Sequence, residues 1–239
     1  MPSLACGMLV LILLGASGVQ ADDAPPAVCV ILIGGVDSDP TPRQIEGTAP
    51  RGQGQSGMYQ LAGDLAKEGL ATEYFNWNGT RAGKIKEQPP HTKGIAKFII
   101  DRHAERPAER LAIVANSWGG HTAWEVCQAL QEPEILIELA LFLDPSSAGR
   151  AQSARPTPFP TCIKSARNYY TRNFFGWREW PGEERLVNID LGDAKHGFLV
   201  TGGPRYDSTF DAQAHIAAEW DPRIHAEITK QVVALLKPD

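Results

Sequence analysis

Apolar residues recur along this chain in two kinds of stretch, and the two alternate. The first run, residues 27–33, is Ala-Val-Cys-Val-Ile-Leu-Ile. It is unbroken and rich in β-branched side chains, which predicts a strand buried on both faces. Gly34-Gly35 ends it, and residues 37–57, rich in glycine, proline and polar side chains, read as a long loop. Ser56 is placed to cap a helix over residues 58–68, closed by Gly69. A second strand is expected over 71–77. A helix is expected over 91–105, with Ile95, Phe98, Ile99 and Arg102 spaced along it. Leu111 to Ala115 reads as the third strand, followed by a helix over 121–130. The run 135–143 stops at Asp144-Pro145, and 186–191 is the last strand candidate. Ile224, Ile228, Val232 and Leu236 return every fourth residue and predict a closing helix over 224–236. Strands alternate with helices and no internal repeat is present. The pattern predicts an α/β fold with a mostly parallel central sheet and helices on both faces.

The stretch around Ser117 carries the chemistry. An apolar run, Leu111-Ala112-Ile113-Val114-Ala115, leads into Asn116-Ser117-Trp118-Gly119-Gly120 and then a helix. Strand, sharp turn and helix in that order form a nucleophile elbow, in which a strained turn holds a serine hydroxyl at the end of a buried strand. Ala115 stands where the G-x-S-x-G pattern has its first glycine. The other reading of Ser117 is an ordinary helix cap. A nucleophilic serine needs a base, and the base needs an orienting acid. Reactive groups of parallel α/β sheets sit beyond the carboxyl ends of strands. Asp144, ending an apolar run before Pro145, is the favoured acid, with Asp193 the alternative. His215, expected in a loop shortly before the last helix, is the favoured base, with His196 the alternative. His225 falls on the closing helix, and His91, His103 and His121 come too early in the order. The oxyanion of acyl transfer needs backbone N–H donors. Trp118 supplies one, and Val36, after Gly34-Gly35, is the expected second.

Taken together, Ile33-Gly34-Gly35, Asn116-Ser117-Trp118-Gly119-Gly120, Leu143-Asp144-Pro145 and a histidine ahead of the last helix resemble the α/β-hydrolase superfamily. The similarity is to its small lipase- and esterase-like members. Many of these carry H-S-W-G-G at the elbow, so Asn116 and Ala115 are departures. The resemblance implies a serine hydrolase acting on a carboxylic ester or thioester, with no cofactor and no metal. The same fold hosts peptidases, carbohydrate esterases and catalytically inactive binding proteins, which stand as alternatives.

Composition narrows the setting. The chain has 239 residues, 43% hydrophobic and 21% charged, with a net charge of -5 and no block of basic residues. That suits one domain of ordinary core size and disfavours nucleic acid as a partner. Residues 8–14 are apolar and short, and Val19-Gln20-Ala21 fits a small-residue cleavage site. Residues 1–21 are therefore expected to be a signal peptide rather than a membrane anchor, and residues 22–239 a single secreted or periplasmic domain. Three cysteines follow: Cys29, expected buried, and Cys127 and Cys162, the pair best placed for a bridge if one forms. The region around 146–185 holds Tyr169, Tyr170, Phe174, Phe175, Trp177 and Trp180. It is read either as a small cap over an apolar acyl pocket or as packing over the sheet. The expected partner is a small-molecule or lipid-like ester.

Overall fold

The computed structural model describes residues 27–36, 38–49, 55–78, 91–147 and 156–237. The signal-peptide and cleavage-site expectations lie outside these residues, as do residues 148–155 of the aromatic region.

Among the described residues, six strands form one sheet in the order β2-β1-β3-β4-β5-β6. They are β1 (Val28–Gly34), β2 (Ala71–Asn76), β3 (Arg110–Asn116), β4 (Leu139–Leu143), β5 (Ala166–Tyr170) and β6 (Leu186–Asp190). Every adjacent pair is parallel. The helices are α1 (Pro42–Ile45), α2 (Gly57–Lys67), α3 (His91–Glu105), α4 (Trp118–Leu130), α5 (Ala212–Trp220) and α6 (Pro222–Val233), with short 3-10 turns at Ala194–His196 and Ala234–Leu236.

The two-residue period of the strands explains the layering. In β1, Cys29, Ile31 and Ile33 join a core with Ile95 and Ile99 of α3 and Val126 and Leu130 of α4. Val30 and Leu32 face the other way, into a core with Leu61 and Leu65 of α2 and Ile224, Ile228 and Val232 of α6. Helices thus cover both faces. The order of winding reverses at β1, whose neighbours are β2 on one side and β3 on the other. In parallel α/β sheets the carboxyl edge beside such a reversal is the usual ligand position.

Three expectations are corrected. First, the span 146–185 contributes a strand that the apolar pattern did not show: β5 inserts between β4 and β6. It is hidden because Arg167 and Asn168 interrupt the apolar pattern; the buried Asn168 donates from Nδ2 to Arg178 O and Asn188 Oδ1, each at 3.0 Å, while its Oδ1 has no partner among the described residues. Second, His215 lies not in a loop but in α5, whose N-cap Asp211 accepts from Gln213 N. Third, Cys127 and Cys162 are free thiols, like Cys29. The Cys162 Sγ is directed at the Cys127 carbonyl oxygen, at 3.1 Å. Cys29 behaves as the buried small residue expected, and burial pushes its thiol pKa up to about 12.

Candidate active site

β3 runs buried into Ser117, whose backbone takes φ 52° and ψ −126°. A positive φ at a residue with a Cβ is strained and marks a turn held by its surroundings. α4 starts at the next residue, and Ser117 makes no side-chain cap bond to it. The capping explanation is therefore set aside, and the hydroxyl is left for other partners. The turn is locked from several sides. Ser117 N donates to Leu143 O at 3.1 Å, and Ser146 N donates to Ser117 O at 2.8 Å. Asn116 Nδ2 also reaches Leu143 O, at 3.1 Å.

Two glycines make this approach feasible. A Cβ on Gly119 would stand 2.7 Å from the Gly34 carbonyl oxygen and nearer still to that of Ile33. A Cβ on Gly35 would stand 2.6 Å from Ser117 Cβ. Ala115, at the first glycine position of the pattern, is fully buried within β3 and is accommodated there.

Ser117 Oγ lies 2.8 Å from His215 Nε2. His215 Nδ1 lies 2.6 Å from Asp144 Oδ2. Asp144 is completely buried at the end of β4, at φ 41°. It also accepts from Thr171 N at 2.9 Å, Thr171 Oγ1 at 3.0 Å and Asn173 Nδ2 at 3.0 Å. Burial alone would raise the Asp144 pKa. The hydrogen bond and charge of His215, with the Thr171 and Asn173 donors, outweigh that and hold the carboxyl below its ordinary value. For His215, burial works to lower the pKa, but the Asp144 carboxylate prevails and raises it above its ordinary value near 6.5. Three side chains from β3, β4 and α5 thus form one hydrogen-bonded line at the carboxyl edge of the sheet.

The alternatives are not brought to this line. Asp193 caps the short turn Ala194–His196 through Lys195 N and pairs with Lys195 Nζ at 2.8 Å. His196 is the last residue of that turn. Trp118 begins α4, so its N–H is among the first-turn donors that have no acceptor within the helix. Val36 follows Gly35 in the loop leaving β1 and is 41% exposed.

The aromatic region divides between the two readings. Tyr169, Trp177 and Trp180 are buried. Phe174 and Phe175 are about two-fifths exposed, at 42% and 43%, and the Phe175 ring is 6.1 Å from that of His215. On the other side the Trp118 ring meets Trp77 edge-on, with centroids 5.0 Å apart. Four residues that matter here carried no sequence signal: Thr171 and Asn173 follow the unrecognised β5, Ser146 Oγ lies 3.4 Å from Ser117 Oγ, and Glu219 follows His215 on α5.

No protein-family model matches the chain, and no curated protein matches its sequence. Solved structures with similar folds include a cutinase-like protein from Cryptococcus sp., 15% identical, covering 89% of this chain and 96% of that one, at a TM-score of 0.43. An α/β serine hydrolase without a lid from Xanthomonas campestris is 13% identical, covering 90% and 84%, at 0.41. The catalytic core domain of acetyl xylan esterase from Trichoderma reesei is 13% identical, covering 89% and 98%, at 0.38. At these values the similarity carries no argument about chemistry, which rests on the side chains themselves.

Proposed function

We propose that this chain is a serine hydrolase of the α/β-hydrolase superfamily that cleaves a carboxylic ester or thioester through an acyl-enzyme intermediate. The observation that carries the reading is the unbroken line Ser117–His215–Asp144 at a strained strand-to-helix turn. In this reading His215 Nε2 takes the Ser117 hydroxyl proton as Oγ attacks the acyl carbonyl. Nδ1–H stays bonded to Asp144, which fixes the tautomer and stabilises the imidazolium. The N–H groups of Trp118 and Val36 receive the oxyanion. The imidazolium then protonates the departing alkoxide or thiolate, and water, deprotonated by the same nitrogen, releases the acid. No step draws on a cofactor or a metal. Phe175 and Trp118 give the acyl group an apolar surround, which suits a lipid-like or other apolar ester.

Residues 1–21 are proposed to be removed on export, leaving a secreted or periplasmic domain that begins at Asp22. N-terminal sequencing of exported protein starting elsewhere would count against this. Among the described residues no helix is long and apolar enough to cross a membrane.

Labelling with a fluorophosphonate tests the chemistry, since only an activated serine reacts rapidly. Wild type should label and hydrolyse short acyl esters. Ser117→Ala should lose labelling, and about 10⁴-fold or more of turnover, while remaining folded. Purified Ser117→Ala that still turns over, or wild type that never labels, ends the reading and leaves a binding protein on the same fold.

A further inference from the structure

α5 carries a second acid whose partners lie on the opposite side of Ser117. Glu219 follows His215 by four residues, one helical turn further along α5. Its carboxylate accepts from Ser38 Oγ at 3.1 Å and from Met58 N at 3.2 Å. Met58 lies in the first turn of α2, where the helix presents unpaired N–H groups and partial positive charge. Ser38 belongs to the loop leaving β1 and is 2% exposed. Its carbonyl accepts from the Tyr74 hydroxyl, and its N–H points at Gly35 O, at 3.4 Å. Backbone packing closes the arrangement: a Cβ on Gly57 would stand 2.9 Å from the Glu219 carbonyl carbon. The Glu219 carbonyl oxygen also accepts from His225 Nε2 at 2.7 Å.

One side chain therefore ties together the loop bearing Gly35 and Val36, the start of α2 and the helix bearing His215. We propose that Glu219 is a positioning residue, which holds the oxyanion-donor loop and the base in fixed relation on either side of Ser117. This rests on the serine-hydrolase reading. A loop after a buried strand has its own freedom, and an oxyanion donor misplaced by 1 Å costs on the order of 10²-fold in rate. A bridge from that loop to α5 makes the donors and the base move together. In its ionised form Glu219 also acts through its charge; burial raises its own pKa, against the lowering by the Met58, Gly57 and Ser38 donors and His215. The ionisable groups facing His215 are Asp144 from β4 and Glu219 from its own helix, and both favour the imidazolium. Facing Glu219 are Ser38, Tyr74 from β2, the N–H groups of Gly57 and Met58, His215, and His225 at its backbone.

Four proteins test this: wild type, Glu219→Ala, Glu219→Gln and Ser38→Ala. Three quantities are read: amide hydrogen exchange at Gly35 and Val36, the NMR titration of the His215 imidazole, and the rate of fluorophosphonate acylation. Glu219→Ala and Ser38→Ala should speed exchange in the loop and slow acylation by about 10- to 100-fold. Glu219→Gln can still accept from Met58 N and donate to the Ser38 hydroxyl, so it should rescue most of that loss. It should nonetheless move the His215 midpoint to lower pH, because one nearby negative charge is gone. A merely structural Glu219 would lower stability in each variant while leaving the His215 midpoint and the loop exchange in place, and that result overturns the proposal. If Glu219→Ala does not fold, Ser38→Ala and Glu219→Gln decide it by the same readouts. Wild type that labels, with variants that shift neither exchange nor titration, refutes the role of Glu219 alone. Wild type that never labels overturns the serine-hydrolase reading, and this role with it.

Discussion

Adding one methyl group at Gly119 should disable the site, whereas the same change at Gly63 should stabilise the fold. Both glycines are helical, and at an open helical position Gly→Ala gains up to about 1 kcal/mol through propensity and the loss of unfolded-state freedom. Around Gly63, in α2, a Cβ would meet nothing within 4 Å. At Gly119 the Cβ would stand 2.7 Å from the Gly34 carbonyl oxygen, against 3.4 Å for an ordinary contact, so β1 and α4 must part by about 0.7 Å or more. The atoms in the way are backbone, so no side-chain rotation relieves the overlap. Overpacking of this kind costs about 1–3 kcal/mol. That cancels the propensity gain and leaves Gly119→Ala destabilised by up to about 2 kcal/mol. The displacement acts two residues from Ser117, whose Oγ–Nε2 bond is 2.8 Å, and on the loop that bears Gly35. A shift of this size should slow acylation by about 10- to 100-fold. Urea unfolding with a common slope gives the stabilities, and fluorophosphonate labelling gives the rates. A Gly119→Ala protein as stable and as reactive as Gly63→Ala would refute the claim that close approach of β1 and α4 builds this site.

Two further outcomes follow from the charges. Asp144→Asn should lower turnover by about 10⁴-fold, since the imidazole loses the partner that fixes its tautomer, while Asp193→Asn and His196→Ala should stay near wild type; steady-state kinetics on one ester would show the reverse if the assignment were wrong. The base must be neutral to act and the His215 pKa is raised, so kcat/KM should rise with pH through a midpoint above 6.5, and a midpoint at or below 6.5 would contradict the Asp144 pairing. The same shifts enter stability with opposite signs. The His215 contribution is full below 6.5 and is lost as pH rises through its raised value, whereas that of Asp144 is present above its ordinary 3.8 and is lost as pH falls through its lowered one.

The sequence was most legible where the backbone itself is constrained. β1 and β3 are buried on both faces, so their apolar runs are continuous and their ends are marked by Gly34 and Ser117. Asp144 was legible for the same reason, since it ends the apolar run of β4. α5 was missed because its buried positions within the helix are only Ala214 and Ala218, which leave little apolar signal. The cues that remained were Asp211 ahead of an alanine-rich stretch, a capping and propensity argument rather than a periodic one. Chain order alone thus points to His215, while its helix leaves no pattern to recognise. β5 failed for a different reason. Its Asn168 is buried and polar; the Arg178 carbonyl and Asn188 on β6 accept from its Nδ2, and a partner 20 residues away leaves no local trace. With β5 unseen, Thr171 and Asn173 could not be recognised as the donors that hold Asp144. The contact between Ser38 and Glu219 is the extreme case, spanning 181 residues between a loop and a helix. Neither residue departs from what its own neighbourhood would predict. Elements and reactive ends are written in local pattern, whereas the hydrogen bonds that aim them exist only after the sheet has brought distant segments together.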